Sequence, residues 1–106
     1  MNIVNLTPHA LNIHDTNGQL LVTVEPSVAV ARVTTARALS QTIDGIPCFH
    51  TKYGEVTGLP PFQDGTIFVV SGLVRAAVPH RHDVWQPGEL LRNEAGQVIG
   101  CVGLSQ

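Results

Sequence analysis

Three short stretches set turn residues between arms that read as strands: DTNGQ around Asn17-Gly18, IDGI around Asp44-Gly45, and RNEAGQ with its turn from Asn93 to Gly96. Asn-Gly and Asp-Gly reach positive φ at low cost, and a two-residue loop of that kind brings its flanks together as antiparallel strands. A chain of 106 residues punctuated in this way is committed to hairpins. The first is predicted over residues 10 to 14 and 19 to 24 with a type I′ turn at Asn17-Gly18. The second joins TID to IPCFHTKY, with Pro47 placing the start of its second arm at a sheet edge. The third lies in ELLRNEAGQVIGCVGL, its last strand packing Val98, Ile99 and Val102.

The remaining segments add detail around the hairpins. Pro8 interrupts IVNLTPHALNIHD, so two short extended pieces with a kink at Thr7-Pro8 are expected. Residues 28 to 34 read as strand, while 35 to 40 fit either a strand or a helical turn. GEVTGLPPFQDG, residues 54 to 65, reads as loop. TIFVV is an unbroken apolar run, as in a strand buried on both faces. Ser71 stands at an N-cap position before GLVRAAV, a short helix that ends at Pro79. The expectation is a mainly β, β-rich α+β fold over residues 1 to 106 as a single domain. Its three hairpins and central buried strand form a small sandwich or a barrel-like sheet with one short helix.

Composition excludes several classes of function. The charged fraction is 13%, the formal net charge is −2, and the six basic residues form no stripe that could track a phosphate backbone, so no nucleic-acid duplex is expected as partner. No charged-then-apolar leader opens the chain and no stretch approaches the ~20 apolar residues of a membrane span. A cytoplasmic protein without membrane partners is expected. Cys48 and Cys101 stand alone among apolar neighbours, without CxxC spacing, and read as reduced and buried.

The run His80-Arg81-His82-Asp83 invites three readings. His-x-His with Asp83, His9 or His50 could complete a metal shell, but Arg81 between the imidazoles repels a cation, and no metal or cofactor is expected. An anion site is the stronger reading: Ser71 and Gly72 would present backbone N–H groups at the end of a buried strand, and Arg75 or Arg81 would close over the ligand. In the bland alternative, Ser71 only caps the helix and Arg81 pairs with Asp83 to fix a loop. A third reading pairs Cys48 with His50 on one strand face for nucleophilic catalysis; no further enzyme signature accompanies it, and the chain is not expected to be an enzyme. Thr7 and His9 at the kink either belong to a site or satisfy backbone groups of a β-edge.

Four stretches, NLTPHALNI, GLPP with a following DGT, VVSGLVRAAVPHRHD and RNEAGQVIGC, run along nearly the whole chain. Together they resemble a family of small uncharacterised proteins of bacteriophages, prophages and some bacterial genomes. The resemblance implies an accessory protein in the host cytoplasm that binds a nucleotide-like signal of host defence or a defence protein. The residues that match the pattern, Thr7, His9, Ser71, Arg81, Asp83 and Arg92, are polar and fall in loops.

The leading expectation is therefore a binding protein for a small anionic, nucleotide-like ligand. Ser71 and Gly72 donate to the ligand, Arg75 and Arg81 neutralise it, and His80, His82 or Tyr53 contact or stack on the rest. The alternative is a protein-binding module with Leu59 to Phe62 and Trp85 as an apolar anchor for a host protein or another copy of the chain. Sheet edges at Pro8 and Pro47 favour a homo-oligomer by edge pairing.

Overall fold

The computed structural model describes residues 1–106 and is 56% strand and 6% helix, so the mainly β expectation is met. Eight strands and one helix follow in order: β1 Asn2–Asn5, β2 Leu11–His14, β3 Leu20–Val24, β4 Arg32–Ile43, β5 Ile46–Thr57, β6 Thr66–Val69, α1 Gly72–Ala77, β7 Val84–Arg92 and β8 Val98–Ser105. Six strands form one sheet in the order β1-β6-β7-β8-β2-β3, while β4 and β5 pair only with each other. Between sandwich and barrel, the outcome is a nearly closed barrel-like sheet with a separate two-stranded arm.

The three predicted hairpins form, by two kinds of turn. Asp44 and Gly45 both have positive φ, 49° and 79°, as a type I′ turn requires. At the first turn only Gly18 does, so the type I′ expectation at Asn17-Gly18 is corrected. The Asp15 carboxylate there accepts from the backbone N–H groups of Asn17 and Gln19 at 2.8 and 2.9 Å, and Gly18 N donates to Asp15 O. Asn93 repeats the arrangement by accepting from Ala95 and Gln97, with Gly96 in the left-handed region. An Asx side chain at the first position and a glycine at the fourth make a three-residue loop in both places.

Several boundaries differ from the sequence reading. Residues 28 to 31 are not strand, whereas the undecided residues 35 to 40 lie inside β4, whose partner β5 supplies the ladder that local propensity could not. Gly54 to Thr57, expected as loop, complete β5 for the same reason. Val98 and Ile99 do not pack inside but are half exposed, and Cys101 is buried in their stead. Cys48 lies on the arm and is only partly buried, against the expectation for both cysteines.

Hairpins alone do not make the sheet, because β1, β6 and β7 run parallel, as do β2 and β8. β6 is the central strand expected of TIFVV, flanked on both sides and almost wholly buried. One core cluster joins Leu6, Phe68 and Val84 to Val74 of α1 and to Val78 at its C-cap, with Val33 and Val56 from the base of the arm packed against it. A second fills the barrel with Leu11, Ile13, Val69 and Cys101. Ser71 caps α1 through its side chain, which accepts from Val74 N at 3.4 Å.

The seam of the barrel lies between the two outer strands of the sheet, β1 and β3, and the side chain that spans it is Asn5, 1% exposed. Its Nδ2 donates to Val24 O at the end of β3 (3.0 Å) and to His9 O (2.7 Å). Its Oδ1 accepts from Thr7 N (2.9 Å) and Thr7 Oγ1 (2.7 Å). The backbone N–H of Thr7 can only donate, which fixes the orientation of the amide. Beside this contact Ser27 N donates to Asn5 O, and a bridge links Asn5 with Pro26. Replacing Asn5 by Ala strands a buried N–H and two carbonyls and is expected to cost about 3 kcal/mol, read as a lower urea midpoint at unchanged m-value. Asn5→Asp keeps the acceptor, points an oxygen at the two carbonyls, and should cost at least as much at neutral pH.

Candidate functional site

The kink after β1 turns back over the sheet and forms one wall of an open groove of about 690 Å³. Thr7 and His9 of the kink, Asn12 of β2 and Ser71 supply its polar lining, and Leu90 of β7 with Ile99 of β8 contributes to its apolar lining. A smaller cavity of about 270 Å³ adjoins the same kink and shares Thr7, Pro8 and Ser71 with the groove. Thr7, His9 and Ser71, read separately from the sequence, thus meet in one place although Thr7 and Ser71 are 64 positions apart in sequence.

Few polar groups in this groove are free for a ligand. The Thr7 hydroxyl donates to Asn5 Oδ1, with His9 O a second acceptor at 3.0 Å. Asn12 is held by Ile99 O and Thr23 Oγ1. His9 is exposed and joins the network only through its carbonyl, and the exposed Ser71 hydroxyl retains its proton for a further partner. Burial pushes the Cys101 thiol up from its ordinary value, so this buried sulfur beside the groove is held as a thiol and not as a nucleophilic thiolate.

The other predicted residues lie elsewhere. Arg81 Nε and Nη2 donate to the two carboxylate oxygens of Asp83, each at 2.8 Å, and Nη2 also donates to Pro60 O at 3.0 Å. This bidentate pair pins the Leu59–Phe62 loop to the segment that enters β7, the fixed-loop arrangement weighed against an anion clamp. Arg75 Nη1 donates to Val78 O at the end of α1. Gly72 faces Gln86, whose Oε1 lies 3.0 Å from where a Cβ would stand. His80 and His82 are exposed beside the Arg81 pair, and His82 O accepts from Gln106. Tyr53 is on the arm, and Arg92 Nη1 donates to Gly96 O to brace the last turn. No three His, Cys, Asp or Glu side chains are grouped so as to hold a metal ion.

Asn5 and the apolar side of the groove were missed. Asn5 carried a usable signal, since Asn two residues before a Thr-Pro pair is the sequence of an Asx turn. Leu90 and Ile99 carried none, because which face of β7 and β8 meets the kink depends on the parallel β2–β8 pairing. Compared with known proteins, the chain matches no protein-family model, no curated protein and no solved structure.

The Asp83 carboxyl is held below the usual carboxylate range, first by the hydrogen bonds from Arg81, against the opposing effect of burial, while Arg81 is raised by the same pairing. A depressed carboxylate contributes stability that is complete above its unfolded pKa of about 3.9 and is lost as pH falls through the lower folded value. Asp83→Asn is therefore expected to be about 2 kcal/mol less stable than the parent at neutral pH. Urea titrations at descending pH should show this gap closing below the ordinary carboxylate range.

Proposed function

We propose that this chain is a non-catalytic binding protein, of the phage accessory kind its motifs resemble, that holds a small molecule in the groove between the Thr7-Pro8 kink and strands β7 and β8. The observation that carries the reading is the convergence of Ser71 and His9 on a groove with an apolar side and a volume within the roughly 300–1,000 Å³ of ligand clefts. A nucleotide-like ligand would lay its ring on Leu90 and Ile99 and direct its polar end to the Ser71 hydroxyl and the His9 imidazole. Arg81 has no part in this arrangement, because its fork is spent on Asp83 and Pro60. An anionic ligand consequently relies on Ser71 and His9, and the ring contributes most of the affinity.

Native mass spectrometry of protein purified from bacterial cytosol is expected to show a small bound mass, lost in Ile99→Trp, which fills the apolar side at a half-exposed position that the fold does not need. Arg81→Lys should retain the adduct with a lower melting temperature. A bare chain, together with no thermal shift on adding nucleosides or nucleotides, would count against the groove as a ligand site.

A further inference from the structure

The β4–β5 arm is out of proportion to the body that carries it. Two strands of 12 residues each leave the barrel, anchored at their base by Val33 and Val56, and pair with nothing else. An isolated two-stranded ribbon is marginal in water and needs a third strand or a packed face to persist. The molecule measures 49 × 38 × 21 Å with a radius of gyration of 16.2 Å, where a compact chain of this length has about 13 Å. Its accessible surface is 7020 Å², against about 5,700 Å² for a compact monomer of this mass.

The arm also has an apolar face. Leu39 stands directly across from Phe49 and Thr35 across from Tyr53, and with no bulge between these pairs they share one side of the ribbon. Leu39 is 60% exposed, Phe49 48% and Tyr53 44%, and Arg37 folds back over the Phe49 ring at 4.5 Å from its centroid. The two outer edges differ in what guards them. β5 carries Pro47 and Lys52, which guard the edge that Pro47 was expected to offer for oligomer formation, whereas RVTTARALSQTI of β4 has no proline, and of its two arginines Arg32 stands at the base and Arg37 is drawn back over Phe49.

We propose that the occupant of this edge is a second copy of the same chain, with β4 pairing antiparallel to β4 of its partner about a two-fold axis. An antiparallel strand is its own complement under that symmetry, so one edge supplies both halves of the contact. The result is a four-stranded sheet, β5-β4-β4-β5, that sets two Leu39, Phe49 and Tyr53 faces side by side. Edge pairing covers part of each copy's surplus of about 1,300 Å², so the pair buries at most about 2,600 Å², a ceiling above the standard interface of about 1,600 Å². The groove proposed above lies on the barrel, so the two readings stand or fall separately.

Sedimentation of the full chain at micromolar concentration is expected to give a dimer, and Leu39→Glu or Leu39→Lys, on the pairing strand itself, should weaken it about tenfold or more. Phe62→Glu, an equally exposed apolar position off the arm, should leave it unchanged, with circular dichroism confirming the fold of each variant. Hydrogen exchange provides a readout that needs no substitution. An arm paired on one side protects only alternate amides of β4, whereas an arm paired on both sides protects consecutive ones. A monomer, a dimer with alternate protection only, or a dimer broken by Phe62→Glu and not by the arm variants would overturn the proposal; in the first case the edge is left to an unrelated partner.

Discussion

The structure depends on one buried amide. A six-stranded sheet this small leaves β1 and β3 as outer strands, and their ladder is reduced to a single bridge where the chain passes Pro26. Asn5 completes the closure with its side chain, using both its donor and its acceptor capacity in a site that water does not reach. A fully satisfied polar group in an apolar interior strongly favours one geometry, since any other leaves donors or acceptors unpaired. The same amide shapes the Thr7-Pro8 kink by holding Thr7 and His9, so the groove wall and the barrel seam are two consequences of one interaction.

Charge is used mainly for bracing. The bidentate Arg81–Asp83 pair, the Arg75 contact to Val78 and the Arg92 contact to Gly96 each secure a loop or an element end. Guanidinium suits this task because its planar fork meets a carboxylate or a carbonyl with little further loss of freedom. The groove is left with a hydroxyl, an imidazole and an apolar side, and the proposed ligand would be gripped by its ring more than by its charge.

The body and the arm solve the burial problem differently. The barrel buries Phe68, Val69, Val70 and Val84 almost completely, with α1 covering one side. The arm buries only its base, and its length, open edge and apolar face make sense as parts of a larger sheet. Association would supply the third and fourth strands that a two-stranded ribbon lacks.

Local chemistry alone determined the hairpins, the helix cap at Ser71, the kink at Thr7-Pro8 and the burial of TIFVV, because each rests on neighbours within a few residues: an Asx or glycine at a turn, a hydroxyl before a helix, a proline in a strand. It also placed Thr7, His9 and Ser71 among the residues to watch. It offered the Arg81–Asp83 pair as one alternative but could not show that Arg81 also meets Pro60, that residues 35 to 40 extend as strand, or that Ile99 is left half exposed while Cys101 is buried. Those outcomes follow from strand order, and the parallel pairings of β1 with β6 and β2 with β8 join segments too far apart for any local pattern to encode. Only the closed sheet decided which polar residues became structure and which were left at a surface.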